Sequence, residues 1–416
     1  MPPFCVYVSN THMDAPDGFF CQAHNLRVLK KRGVHEYNRP SLAMLTEERG
    51  KMTERRFKEL GSGSFFGEYV YQRAVPEKHF LRQLDELVDW EVFTASLIRL
   101  YRGRAKRGRP PYDPTVILKM LLLSYLYGLS ERQTEAYVND SLSAKCFLGL
   151  AVDEAGPDHS TLTKFKERIE KHGKEALLEE LLRDVIAMAM SQGVEFGAIQ
   201  VVDSTHTLAD VNVSKDDHRD DQGKPRRDGD ARWGVKGKKR GKRRSKPHYF
   251  YGYKMHAAMN AESEMITSLV VTGGNAHDGK QFPTLVEKDR EQGLPIDIYA
   301  ADRGYDDSEN HYLLETLGMH SAIILNDYRT QKKDKNKEVW IDLKKAPQYQ
   351  AGTRERYKIE RKFGEAKVNH GLRQCRYVGR LRYAIQAYLT AIALNLKRMV
   401  KLLTGVSFKG RARAMA

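Results

Sequence analysis

Apolar positions in the first third of the chain repeat with a helical period. Between residues 76 and 101, Phe80, Leu81, Leu84, Leu87, Trp90, Phe93 and Leu97 recur every three or four residues, as one face of a helix requires, and this predicts a helical arm. The apolar stretch 116–129 is interrupted by Lys119 and is too short to span a bilayer, so it reads as a buried helix within 114–127. Short helices follow over 130–139, with Ser130 as N-cap, over 143–148, and over 160–172, with Ser160 or Asp158 as cap. An amphipathic helix over 175–192 completes an all-helical region.

From residue 198 the period changes. Residues 198–202 form a short apolar run that ends in Asp203, as a strand entering a site would. Segments 249–260 and 265–272 are β-branched or aromatic and are joined by the polar residues 261–264, which predicts an antiparallel hairpin. A helix over 280–292, a strand over 296–301 ending at Asp302, a helix over 308–317 and a strand over 322–325 come next. This order predicts a mixed α/β sheet with helices on its faces. Two highly charged insertions, 208–248 and 328–346, read as loops or mobile flaps. Near the C-terminus, Ile385, Leu389, Ile392, Leu396 and Met399 mark one face of a helix over 380–403, which packs on the core.

Residues 1–51 lack either period, and Met52 opens a segment that reads more like a normal start, so 1–51 are expected to be a poorly ordered leader. The basic segment RGRAKRGR at 102–109, followed by Pro110 and Pro111, marks a boundary. The expected domains are therefore a helical arm over 52–107, a helical DNA-binding domain over 108–192, a catalytic α/β domain over 193–372 containing the insertion 208–248, and a C-terminal helix with a basic tail over 373–416.

Charge narrows the choice of partner. The 416 residues carry 70 Lys and Arg against 54 Asp and Glu, a formal net charge of +16, and the pI is about 9.4. Polyanions are the expected ligands, and no segment predicts a membrane span. The four cysteines, Cys5, Cys21, Cys146 and Cys375, show no metal spacing and suit a reducing cytosol. The helix over 160–172 displays Lys164, Lys166 and Arg168 beside Leu162, Phe165 and Ile169. It fits a helix-turn-helix with a basic final helix and equally a packing module with solvated lysines; the net charge favours DNA.

Candidate chemistry rests on three acidic residues. Asp203 and Asp302 each follow a strand, where an aspartate commonly caps the next turn. Over 354–369, Arg356, Glu360 and Lys367 share one helix face, which a solvated ion pair would also explain. Taken together, two strand-end aspartates and a helical glutamate are hard oxygen ligands with open positions, suited to two Mg²⁺ ions, with Mn²⁺ as a substitute. Such a pair serves in-line displacement at phosphorus. Arg356 and Lys367 would contact phosphate or steady the carboxylates.

These residues carry a family resemblance. VVDST around Asp203, AADRGYD around Asp302 and RYKIERKFGEAK from Arg356 to Lys367 resemble the bacterial insertion-sequence transposases of the DDE class (insertion-sequence-four/five-like). So do GRPPYDPTVILKMLLL, SERQTEAYV and PDHSTLTKFKERI, and the resemblance runs from about residue 108 to 403. Arg356, Glu360 and Lys367 keep the spacing of the family's last motif, but Thr353 stands where a tyrosine would, with Tyr357 nearby. Glu355 and Glu365 are rival carboxylates without Arg and Lys at those offsets.

The resemblance implies a ribonuclease-H-like fold and an endonuclease and strand-transfer activity, in which element ends are cleaved and their 3′-hydroxyls are joined to target DNA. It implies double-stranded DNA as partner, as terminal inverted repeats and target, bound by a homodimer in the bacterial cytoplasm at the nucleoid. A metal nuclease or recombinase of the same fold without strand transfer, or a transposase-derived DNA-binding protein whose chemistry has lapsed, are the alternatives.

The strongest candidate for phosphate contact is the segment 224–248, with 12 Lys or Arg against Asp228 and Asp230. Its densest part holds Lys238, Lys239, Arg240, Lys242, Arg243 and Arg244, and such a cluster makes binding fall steeply with salt. A basic loop without a dedicated role is the alternative. Trp233 within it either stacks on an exposed base or, the preferred reading, anchors the loop to the core. His256 and His277 are assigned to no metal, and Lys409, Arg411 and Arg413 form a basic tail.

Overall fold

The computed structural model describes residues 57–61, 65–101, 110–236 and 248–408, all within a unit spanning Thr53–Ala416. The expected leader 1–51, the linker 102–109, the basic residues from Lys238 to Arg244, and Lys409, Arg411 and Arg413 lie outside the described residues. Eight helices open the described chain: α1 (Phe65–Ala74), α2 (Phe80–Leu87), α3 (Trp90–Ile98), α4 (Pro114–Tyr127), α5 (Glu131–Asp140), α6 (Leu142–Leu148), α7 (His159–Arg168) and α8 (Lys174–Ser191). A π-helical turn, Ile169–Gly173, joins the last two.

Local capping chemistry sets these boundaries. The periodic arm over 76–101 is two helices, because Val88 takes extended angles and the Asp89 carboxylate accepts from Glu91 N at 3.0 Å to begin α3. Apolar periodicity alone did not register that cap. In α4, Asp113 caps, Pro114 sits at the first helical position, and Gly128 ends the helix at φ 68°. Its side chains from Pro114 to Leu126 are buried except at Lys119, which confirms the buried-helix reading. Ser130 and Gln133 form a reciprocal capping box on α5, and Asp158 caps α7.

The sheet comprises β1 (Ile199–Leu208), β2 (Arg232–Lys236), β3 (His248–Asn260), β4 (Ile266–Gly273), β5 (Ile298–Ala301) and β6 (His320–Ile323). Strand order is β2-β3-β1-β5-β6, and β4 also pairs with β3. Strand β3 pairs antiparallel with β1, β2 and β4, while β5 and β6 continue the sheet parallel to β1. An antiparallel meander followed by two parallel strands is the ribonuclease-H-like arrangement that the sequence motifs imply.

Alternation along the strands assigns the two faces. Val202, Ala258, Tyr299 and Ala301 pack with Phe282 and Leu285 of α10 (Phe282–Glu291) and Leu314 of α11 (Ser308–Thr316). Val201, Ala257 and Met259 belong instead to the large core that includes Ile359 and Phe363 of α14 (Tyr357–Asn369) and the buried face of α15 (Arg380–Thr404). Helix α15 packs on α8, β4 and α4, so one continuous core serves the helical and the sheet regions.

Both charged insertions contain more structure than loops. The first holds α9 (Val213–Asp221) and β2, and its root is fixed by Asp228, a fully buried carboxylate that accepts from Tyr253 Oη at 2.5 Å and Ala231 N at 3.1 Å. The second holds α12 (Lys337–Lys345), whose Trp340 meets His311 and Arg329 although no side chain of the helix is fully buried. The helix expected from residue 354 begins earlier, as α13 (Pro347–Glu355), and Arg356, at helical angles, separates it from α14.

Candidate active site

Register brings the two aspartates together. Strands β1 and β5 pair in parallel from Ile199–Ile298 to Val202–Ala301, and the next residue on each chain is Asp203 and Asp302. Strand β1 does not stop at Asp203, as its apolar run suggested; it continues beside β3 to Leu208. What ends there is its pairing with β5, and the crevice opens where that ladder stops. By alternation Asp203 shares the face of Val201, and Asp302 that of Ile298 and Ala300, so both belong to the side covered by α13 and α14.

Backbone donors hold both carboxylates. Asp203 Oδ1 accepts from Ser204 N at 2.7 Å, and Asp302 Oδ1 accepts from Gly304 N at 2.8 Å while capping a short 3₁₀ turn, Arg303–Tyr305. Burial, then the charge of Asp302, pushes the Asp203 carboxyl up to about 7. Burial also raises Asp302; Gly304 N–H and Arg356 oppose that shift, and Asp278 and Glu360 add to it. Like charges crowded at a strand end favour either a proton or a cation.

Glu360 reaches the site from α14, with 61% of its side chain exposed and Arg356 at 3.6 Å. Arg356 lowers the carboxyls of both Asp203 and Asp302, so it is the positive charge common to all three acids. Its Nε is buried without a hydrogen bond. Lys367, partly buried one turn before the end of α14, has a partner of its own. The rival carboxylates are committed elsewhere: Glu355 to Lys358 at 2.5 Å, and Glu365 to Lys397 at 2.6 Å.

The donor set suits a hard divalent ion, since carboxylate oxygens dominate it and their mutual repulsion is unrelieved except by Arg356. The three oxygens do not converge within one ligand shell. Among the described residues the group that does is Glu135, Asp158 and His159. Capping explains that group: Asp158 accepts from Ser160 N, and Glu135 accepts from His159 N at 3.0 Å and Nδ1 at 2.6 Å.

The remaining candidates are dispersed. Lys164 is exposed on α7, whereas Lys166 is buried, paired with Glu131 and stacked on Tyr377; Arg168 lies over the Tyr101 ring at 4.4 Å. Trp233 lies on the short strand β2 with 46% of its surface exposed, beside Tyr251, and is not an interior anchor. His256 is fully buried, its Nε2 2.8 Å from Thr272 Oγ1.

Sequence reasoning passed over Asp278, Tyr305 and Lys254. Asp278 and Lys254 belong to none of the motifs, and Tyr305 enters only as part of AADRGYD. Lys254, on β3, donates to Asp278 Oδ1 at 2.9 Å.

Fold and site together define a metal-dependent phosphoryl-transfer enzyme on a ribonuclease-H-like sheet. Two family models match: Transposase domain (DUF772) over residues 69–168 and Transposase DDE domain over residues 196–396. The chain belongs to the insertion-sequence DDE transposases, enzymes that cleave DNA and transfer strands with divalent metal ions. Solved structures of the Mos1 strand transfer complex and of a pre-cleavage Mos1 transpososome are each 10% identical to it. They cover 74% of this chain and 82% and 83% of theirs, at TM-scores of 0.19 and 0.18, too low to bear on its fold or chemistry. Among the described residues no helix is long and apolar enough to cross a membrane.

Proposed function

We propose that this chain cleaves DNA at the ends of an insertion sequence and joins the exposed 3′-hydroxyls to target DNA, with Asp203, Asp302 and Glu360 holding two Mg²⁺ ions. The observation that carries this assignment is the register of β1 and β5, which brings two half-buried aspartates side by side where their ladder ends. Bound ions would activate the attacking hydroxyl or water and neutralise the leaving oxygen. Asp203 and Asp302 supply ligand oxygens already fixed by Ser204 N and Gly304 N. Glu360 would turn from Arg356 to complete the set, which would free Arg356 to meet a DNA phosphate.

The rest of the chain serves DNA. Lys164 on α7 faces solvent and suits the phosphate backbone, and by their charge Lys367 and the basic residues Lys238, Lys239, Arg240, Lys242, Arg243 and Arg244 would add phosphate contacts; Lys166 and Arg168 would support α7 through Glu131 and Tyr101. The helical domain over 108–192 would hold the element end against the catalytic domain over 193–372. We assign action as a homodimer on paired inverted repeats, in the cytoplasm at the nucleoid.

Strand transfer tests the assignment. With pre-cleaved element ends, Mg²⁺ or Mn²⁺ should support joining to target DNA, whereas Ca²⁺, with longer and more flexible bonds, should permit assembly with little chemistry. Cleavage without joined product under every metal would make the protein a nuclease, and neither activity would make it a lapsed DNA-binding protein.

A further inference from the structure

Asp278 lies in the connection from β4 to α10, on the opposite layer of the sheet from α14, and the reaction described above makes no use of it. Two cationic or polar groups of β3 fix it. Lys254 Nζ donates to its Oδ1 at 2.9 Å and to Ala276 O at 2.9 Å, and His256 Nδ1 stands 3.5 Å from the same oxygen. Both contacts fall on Oδ1, and Oδ2 lies beside Gly304. A Cβ placed on Gly304 would lie 3.0 Å from Asp302 Oδ1 and 3.8 Å from Asp278 Oδ2. The missing side chain of Gly304 therefore leaves a hollow bounded by one oxygen of each carboxylate.

A second observation concerns the same acids. Tyr305 is completely buried, and its hydroxyl, near Ser204, makes no hydrogen bond of full geometry. The charges of Asp203, Asp278 and Asp302 all act on that hydroxyl. A buried phenol among three carboxylates without a settled partner is costly unless something else orders the group. His256 Nδ1 is likewise buried without a hydrogen bond. The pairing of Lys254 with Oδ1 and Ala276 O does not account for these unpartnered groups.

We infer that Asp278 is a fourth carboxylate of the ion site, a positioning residue held by Lys254 that fixes, across the hollow at Gly304, the divalent ion bound by Asp302. The inference rests on the assignment of Asp203 and Asp302 as ligands, and it extends the site from one layer of the fold to the other. Outer partners of this kind change metal affinity by about 10–100-fold. Gly304 is then required for its lack of a side chain, because a methyl group would crowd Asp302 Oδ1.

Mn²⁺ titration of the metal-free, full-length protein, followed by electron paramagnetic resonance, separates the possibilities. Asp278→Asn keeps an acceptor for Lys254, so the metal-free protein should melt as the wild type does. Its half-saturating Mn²⁺ concentration should rise about 10–100-fold, and strand transfer should recover when Mn²⁺ is raised. Gly304→Ala should weaken Mn²⁺ binding in the same direction without altering any carboxylate. If Asp278→Asn binds Mn²⁺ as the wild type does while Asp203→Asn loses it, the inference is overturned and the three-acid site stands. The same holds if Asp278→Asn lowers only the melting temperature. If Asp203→Asn also binds Mn²⁺ normally, the three-acid assignment itself fails.

Discussion

The two halves of the site are built differently. Asp203 and Asp302 sit on adjacent strands of a fully packed sheet, each with a backbone N–H on its carboxylate, and burial sets their protonation. Glu360 stands on a helix surface, mostly in water, tied only to Arg356 at 3.6 Å. The strand half is prepared before any ligand arrives, because β-pairing fixes its geometry at no further entropic cost. On the proposed assignment the helical half would have to be drawn in, with Arg356 in the place of a cation until then. Preorganisation is thus concentrated where the fold supplies it without charge, and adaptability is left to the element that must meet both ion and DNA.

Breaking the strand half should have the largest effect. Asp203→Asn and Asp302→Asn should each lower strand transfer by roughly 10³-fold or more, the rate equivalent of several kcal/mol of lost electrostatic stabilisation. DNA binding in a filter or gel assay should persist. Glu360→Gln should abolish turnover to a similar degree yet leave part of the Mn²⁺ affinity of the metal-free protein, since the two aspartates remain. Equal loss of Mn²⁺ binding in all three variants would remove the distinction between the halves.

Much of this was legible in the sequence, and the reason is physical. Runs that end in Asp203 and Asp302 are short and mostly apolar, interrupted by Gln200 and Asp297, because their strands are covered on both faces, and that pattern survives in one dimension. The spacing of Arg356, Glu360 and Lys367 survives because helical periodicity is local. Asp278 did not show itself, because only tertiary pairing with Lys254 and Gly304 distinguishes it from any aspartate at a helix start. Nor did the break at Asp89, where one side-chain hydrogen bond overrides a continuous apolar stripe. Helix α12 was hidden for another reason: its apolar side chains, Trp340 and Leu343 among them, are only half-buried and lie within a densely charged segment.

The docking of the helical half offers the next test. A Cβ on Gly352 of α13 would lie 2.5 Å from Ala322 Cβ and 3.1 Å from Ile298 Cγ2, so only glycine lets this helix lie so closely on β5 and β6. Gly352→Val should lift α13 and the following α14, costing about 1–3 kcal/mol in denaturant unfolding. Strand transfer should fall further than stability explains, because Glu360 moves with its helix. Unchanged activity in a destabilised variant would mean that Glu360 finds its place independently of α13.

Proton competition sharpens the comparison at a smaller scale. Asp203 is raised from about 3.8 when unfolded to about 7 in the metal-free fold. A carboxyl shifted upward makes the metal-free fold lose stability as pH rises between those values, with the full cost present above about 7. A divalent ion has to displace that proton, so Mn²⁺ affinity should climb by up to about tenfold per pH unit below 7 and level off above it. Asp203→Asn should lack both trends, whereas Glu360→Gln should retain them.

The smallest catalytic effect is expected at the rival glutamates, where activity and stability should part. Glu355 is paired with Lys358, and Glu365 with Lys397 at 2.6 Å and with the buried Lys362 at 3.7 Å. Neither lies on the site, so Glu355→Ala and Glu365→Ala should retain strand transfer within about twofold per folded molecule, which is under half a kcal/mol. Removing Glu365 leaves Lys362 and Lys397 facing each other without their shared counter-charge. The expected cost is about 1–3 kcal/mol of stability, below that of a fully buried pair because Glu365 keeps 30% of its side chain in water. Its carboxyl is lowered in the fold, after the opposing effect of burial, by His370 and Lys397. That stabilisation is therefore present above the unfolded carboxyl range and lost as pH falls through it, and Glu365→Ala should flatten the acid limb of the unfolding profile. Loss of strand transfer in well-folded Glu365→Ala would place the third acid one turn further along α14 and undo the assignment of Glu360.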